Sequence, residues 1–296
     1  SCIGSSIPGS KALQSERPGM NVMKRLLRTP GGAASVVILA LLTLTALLSL
    51  VWLPHDPNAA SAARLWLPPS AEYLLGTDGS GRDIASRLIV GSKVSLLVAL
   101  GSGILAALVG GLLAVAGGLG PRRLREAVAV LIDVLVAFPT VLLALMLATV
   151  FGSGIPIVIA ALGLAFGVSI GRVLRAELTQ VAGEDFVLAA RAAGLSRGAI
   201  LRRHLLPNVS PVFIVQLSLS MGLAVLAEAS LSYLGFGAPP EVPSWGRMLA
   251  EMQRTVAVHP LAVLWPGLAL TLVTLAFFLL GDALRNTLDP TRREHP

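Results

Sequence analysis

The sequence predicts an all-α, polytopic membrane protein with six transmembrane helices, and three observations carry the prediction. Apolar residues make up 54% of the 296 positions and charged residues 13%, about half the charge of an ordinary soluble domain. Several uncharged runs are long enough to cross the hydrocarbon core, which takes about 18 to 20 residues of helix. Basic residues are shared unequally between the two sets of connections that these runs would create.

Residues 1–22 have little periodicity and many turn formers, and are expected to be a disordered extension or a cloning remnant, with Met20 or Met23 as the natural start. Cys2 is the single cysteine, which excludes an internal disulfide and a cysteine-based metal site; a lipid on it is disfavoured because it is not the first residue. Lys24, Arg25 and Arg28 precede the first span, about 33–53. A cleaved signal peptide is the alternative, but the run is longer than a typical apolar h-region and lacks a small-x-small exit site.

A polar, Pro-bearing loop over 54–93 follows, with Gly76, Thr77, Asp78, Gly81, Arg82 and Asp83 in close succession. These glycines do not make a phosphate loop, because Lys11, Lys24 and Lys93 are the only lysines and none follows a glycine. The second span, about 94–117, is Gly-rich, and small residues such as Gly103, Ala107 and Gly111 would let helices approach closely. Residues 134–171 carry no charge, and roughly 57 Å of helix is too long for one crossing. Gly152 to Pro156 splits this run into spans at about 126–150 and 155–172, the first bent at Pro139. A fifth span lies at about 209–234, an outer loop with an interfacial helix at 235–260, and a sixth span at about 261–281.

Six spans put both termini on one side. That side holds seventeen of the 23 Lys and Arg residues and the other holds six, so the termini are expected in the cytoplasm. The excess of positive charge therefore follows from topology, and no nucleic-acid partner is expected. Asp133 lies near a cytoplasmic end and reads as structural. Glu228, with Ser232 one turn on, is an ionisable residue inside a span. Such a group either lines the translocation path or braces the outer end of the bundle. His55, His204 and His259 are dispersed, and no metal site is expected from them.

The connection over 173–208 contains a polar, Arg-rich island. Glu184 and Asp185 suit a helix N-terminus, and Ala189, Ala190 and Arg191 lie in a short Ala-rich helix that Gly194 would stop. Ser196 would cap a second helix, ended at Leu206 by Pro207. A short helix with so little side-chain bulk could lie deep in a groove of a soluble partner, or be an ordinary loop helix.

The signature Glu-Ala-Ala, three residues, Gly, nine residues, Ile, one residue, Leu-Pro marks permease subunits of bacterial ABC importers. Leu188-Ala189-Ala190, Gly194, His204 and Leu206-Pro207 resemble it, departing at the Glu and Ile positions. Gly76 to Ile84, Glu228 to Gly237 with Pro243-Ser244-Trp245-Gly246, and Gly281 to Arg285 with Leu288-Asp289-Pro290 are similar to the C-type permease of dipeptide, oligopeptide and nickel importers. The resemblance covers about residues 23–293. It implies a type I ABC importer permease fold in the bacterial inner membrane. It also implies a second homologous permease, two cytoplasmic ABC ATPase subunits (separate or fused) and an extracytoplasmic solute-binding protein. Glu184, Asp185, Ala189, Ala190, Arg191, Gly194, Leu206 and Pro207 would then couple to the ATPases. The chain itself would be non-catalytic and without a cofactor, ATP and Mg being held by the partners. The resemblance implies peptides as cargo, with nickel chelates or haem on the same fold as the alternative. An ion-gradient-driven secondary transporter is the rival, but no internal repeat is visible and only Glu228 approaches a midplane site. An intramembrane protease is disfavoured by the lack of a His-Glu-x-x-His motif or paired aspartates in the spans.

Overall fold

The computed structural model describes residues 18–288, and the regular structure in them is helical, with one isolated antiparallel bridge between Thr77 and Asp83. The elements are α1 (Pro18–Arg28), α2 (Pro30–Leu48), α3 (Ile84–Leu119), α4 (Arg122–Val136), α5 (Thr140–Phe151) and α6 (Ile155–Val181). After them come α7 (Asp185–Ala192), α8 (Arg197–Ile200), α9 (Leu206–Tyr233), α10 (Trp245–Met252) and α11 (Pro260–Leu288). The extension expected over 1–22 lies outside the described residues as far as residue 17, and from Pro18 the chain is helical. Cys2, Asp289 and Pro290 are likewise outside them.

Five helices are long and apolar enough to cross a membrane, and α4 with α5 make a sixth candidate if their bend is allowed within one crossing. That bend is 86° and falls at Pro139, where the missing N–H and the ring break the backbone ladder. The helix of the second apolar run starts at Ile84, ten residues before the run itself, and its first turn is capped by Asp83.

The centre of the fold is a close, parallel seam between α3 and α6. Val109 and Ala106 sit against Gly167, Leu105 against Gly163, and Leu113 against Gly171, a constant offset of about one turn per contact. A Cβ on Gly163 would lie 2.7 Å from Leu105, and one on Gly110 would lie 2.9 Å from the Gly167 carbonyl. Neither position has room for a side chain. The seam therefore uses Gly163-x-x-x-Gly167-x-x-x-Gly171 on α6, a repeat that lets backbones approach. Of the small residues expected to do this on α3, Gly103 meets Met221 of α9 and Gly111 faces open space. Ala106 and Gly110, one residue round the helix, are the ones at the seam.

Val98, Ala106, Ala114, Leu162, Phe166 and Ile170 fill this core and join Ala224 and Leu231 of α9. α9 is tied to α11 where the Ser218 hydroxyl donates to the Phe277 carbonyl at 2.8 Å and where Gly222 admits Phe277 and Phe278. α2 packs against α3 and α11. The large exposed side chains, such as Leu41, Leu108, Leu112, Val150 and Leu272, lie on the outside of long apolar helices. Such a surface is compatible with lipid or with other transmembrane helices.

Candidate functional site

The connection between α6 and α9 forms a compact corner. Glu184 precedes α7 in an extended conformation without a side-chain cap, and Asp185 places a carboxylate in the first turn, where the helix dipole favours it. The helix ends in a Schellman motif. The Leu195 N–H donates to the Ala190 carbonyl at 3.1 Å and the Gly194 N–H to Arg191 at 3.0 Å. Gly194 has φ +80° and nothing within 4 Å of a would-be Cβ, so backbone conformation alone demands glycine there.

Val187 and Ala190 turn inward, 0% and 9% exposed, and join the core with Ile200, Leu205 and Val209. At 100° per residue the opposite side of α7 presents Asp185, Ala189 and Ala192, all exposed. Phe186 and Leu188 flank them, 44% and 48% exposed. The helix is therefore not bare as expected: its small residues form a narrow exposed strip between two large apolar side chains. Ala190, expected to contact a partner, is a core residue of this chain. Ala192 shares the outward strip. Arg191 is exposed and donates to the Ala182 carbonyl at 3.4 Å, latching α7 to the end of α6.

Ser196 caps α8, accepting from the Ala199 N–H at 3.3 Å. Pro207 does not end the second helix at Leu206. The chain runs on into α9 through a π-helical turn over Leu201–Leu205, and Pro207 occupies the first turn of the continuing helix. The wider turn pairs the Leu206 N–H with the Leu201 carbonyl, five residues back, and so accommodates the ring that an α-helix interior would reject. Leu206 and Pro207 are both exposed.

At the other end of the bundle the 76–83 motif makes a charged knot. Gly76 and Gly81 have φ +79° and +74°, and a Cβ on Gly81 would lie 2.1 Å from the Ser61 carbonyl. The Thr77 hydroxyl donates to the Arg64 carbonyl and accepts from the Leu67 N–H at 2.8 Å. Asp78 accepts from the N–H groups of Ser80 (2.8 Å) and Arg82 (3.0 Å), from Arg82 Nε (2.9 Å), and from Arg87 Nη1. Glu251 on α10 closes the cluster, 2.7 Å from Arg82 and 2.8 Å from Arg87. Asp83 caps α3 through the Ser86 N–H at 2.9 Å and hydroxyl at 2.6 Å. His55 stacks on Tyr73 and lies 3.6 Å from Asp83, while His259 stacks on Trp66.

Glu228 and Ser232 are enclosed beneath the segment that leads to α10. They are 1% and 2% exposed, and the Ser232 hydroxyl donates to Glu228 at 2.6 Å while accepting from the Ala238 N–H at 3.0 Å. Gly237 backs onto Ser232 and Gly246 onto Ala229, each too close for any side chain. Trp245 lies over Gly91, and its Nε1 donates to the Leu88 carbonyl at 3.1 Å. Asp133 is exposed on α4, with no ion pair among the described residues.

Comparison with known proteins follows the same outline. The family model described as the binding-protein-dependent transport system inner membrane component matches residues 103–294. A Brucella suis biovar 1 protein provisionally named a peptide permease is 35% identical over 290 residues, covering 97% of this chain and 94% of that protein. The Escherichia coli K12 nickel transport system permease protein NikC is 36% identical over 256 residues, covering 86% of this chain and 92% of its own length. Inward-facing structures of the MetNI methionine ABC transporter include a chain similar in fold. Its TM-score is 0.57 at 18% identity, over 69% of this chain and 96% of that one. The chain is thus a multi-pass membrane protein and belongs to the family of binding-protein-dependent transport system inner membrane components.

Proposed function

We propose that this chain is one of two permease subunits of an ATP-driven importer that passes peptides handed over by an extracytoplasmic solute-binding protein. The observation that carries the reading is the strip of Asp185, Ala189 and Ala192 with the Gly194 turn, exposed at the connection between two core helices of an importer-type fold. A rigid, small-residue corner braced by Val187, Ala190 and Ile200 is what a soluble motor needs in order to push on the bundle. Phe186 and Leu188 would fill pockets on either side of the strip, and Glu184, Asp185 and Arg191 would meet polar groups at its edges. ATP and Mg are held by the motor subunits, so the chemistry is theirs. The permease supplies two-state geometry.

The seam supports six crossings, and six crossings put both termini on one side. Because α3 and α6 run parallel, the chain from Gly120 to Gly154 must return across the full thickness. That return supports reading the bent α4–α5 pair, about 22 and 18 Å long, as one crossing. The distribution of Lys and Arg sets the orientation. Glu228 is assigned as a strut under the outer segment rather than a pathway residue, since Ser232 and the 237–246 turn wall it in. The peptide assignment rests on the names of the Brucella relatives. The second reading, a nickel chelate as cargo, is favoured by NikC.

Co-purification and reconstitution test the reading. A tagged chain is expected to bring down a second permease and ATP-hydrolysing subunits, and vesicles holding all of them are expected to accumulate peptide only with ATP and binding protein. Uptake by the isolated chain driven by an ion gradient would overturn it.

A further inference from the structure

We propose that α1 is an in-plane anchor whose cationic side lies against anionic phospholipid headgroups. The corner between α1 and α2 sets its direction. The Thr29 hydroxyl caps α2, accepting from the Gly32 N–H at 3.2 Å, and donates to the Leu26 carbonyl at 2.9 Å. That carbonyl lies 2.1 Å from where a Gly32 Cβ would be. On one straight helix, residues six apart would be separated by about 9 Å along the axis. The chain therefore turns sharply at Thr29, and α1 leaves the axis of the span.

Depth is fixed by α11. Gly31 packs on Leu279, and beyond it α11 continues through Asp282, Arg285 and Asn286, all exposed. α1 contacts α11 and ends only three residues before Gly31, so it lies at the level where α11 leaves the apolar layer. Around α1, Leu26, Met23 and Leu27 share an arc of about 100°, and Lys24, Arg28 and Arg25 take the next ~100°. Leu26 is buried at 3% exposure as the peg that holds the helix down, whereas Met23 and Leu27 are 53% and 47% exposed. α1 has no acidic residue.

An apolar arc beside a purely cationic arc, held across a span at headgroup depth, matches the layered chemistry of an anionic lipid surface. An acidic protein patch would satisfy the cations and leave Met23 and Leu27 in water. Each cation near such a surface strengthens attachment about fivefold.

The test uses the full assembled transporter in a Cys2→Ser background, with a fluorophore on Leu27→Cys, in vesicles of phosphatidylcholine alone or mixed with phosphatidylglycerol. Anionic lipid is expected to increase quenching by a lipid-borne quencher and reduce quenching by aqueous iodide. Lys24→Gln, Arg25→Gln and Arg28→Gln together should abolish that response. The charge-preserving set Lys24→Arg, Arg25→Lys and Arg28→Lys should keep it. Iodide access unchanged by lipid composition would overturn the proposal, as would shielding from both quenchers, which would mean a protein covers this face.

Discussion

Asp78→Asn probes the buried charge cluster that fastens the loop between α2 and α3 to α3 and α10. Asp78 and Arg87 are 2% and 1% exposed, and the carboxylate accepts two backbone N–H groups and two guanidinium groups. Removing its charge leaves the Arg87 guanidinium buried with Glu251 as its remaining counter-charge. Stranding one partner of a buried pair costs about 3–5 kcal/mol. The residual Glu251 contact points to the lower end, about 3 kcal/mol. Glu251→Gln should cost less, about 1 kcal/mol, because its side chain is 31% exposed and Arg87 keeps Asp78. The double change Asp78→Leu with Arg87→Met removes both buried charges and should cost less than the sum of its two single changes, although the Ser80 and Arg82 N–H groups lose their acceptor. Unfolding of the purified protein in mixed micelles reads these values, with Asp78→Leu and Arg87→Met measured singly and together as a double-mutant cycle. Additive effects, or an Asp78→Asn cost below about 0.5 kcal/mol, would refute the reasoning.

Ala189→Arg should leave the protein inserted and folded yet reduce uptake at least tenfold, whereas Ala190→Arg should lower protein yield, because only the second residue is in the core; membrane yield and transport measured together separate the two. Gly167→Val places a side chain 2.7 Å from Val109 and should cost about 1–3 kcal/mol, while Gly111→Ala, with open space around it, should be neutral or stabilising by up to ~1 kcal/mol. Gly194→Ala should destabilise by about 1 kcal/mol, and Gly194→Asn by less, because asparagine tolerates the left-handed conformation. Ser232→Ala removes the hydroxyl that donates to Glu228 and accepts from Ala238; a loss of about 1–3 kcal/mol in unfolding is expected, with substrate affinity unchanged.

Local chemistry made some of this legible in the sequence. The Gly194 turn and the Ser196 cap follow from residues adjacent in the chain, and the break at Pro139 follows from a single ring. Pro207 misled because a π turn upstream absorbs it, and that choice depends on Leu205 packing into the core rather than on local propensity. Composition located the apolar runs, but α3 begins at Ile84 because Asp83 caps it and Asp78 and Glu251 neutralise Arg87. Asp78 and Glu251 are far apart in the chain, so no spacing rule could join them. Gly163, Gly167 and Gly171 did carry a readable signal, the doubled small-x-x-x-small pattern. On α3 the seam face lies one residue round from Gly103, Ala107 and Gly111, since Gly-rich helices offer several small faces and only the partner selects one. On α7 the alanines were visible, but which of them faces inward depends on the angle at which the helix meets α8 and α9.

Cross-linking at Ala189 tests the central claim most directly. With Ala189→Cys as the sole cysteine, in a Cys2→Ser background, a short thiol-reactive cross-linker applied to native membranes should join this chain to an ATP-hydrolysing subunit, with a yield that changes when nucleotide is added. Ala190→Cys, turned into the core, should react poorly. An Ala189 thiol that labels freely from the periplasmic side, or that cross-links to no nucleotide-hydrolysing subunit in transport-competent membranes, would contradict the account.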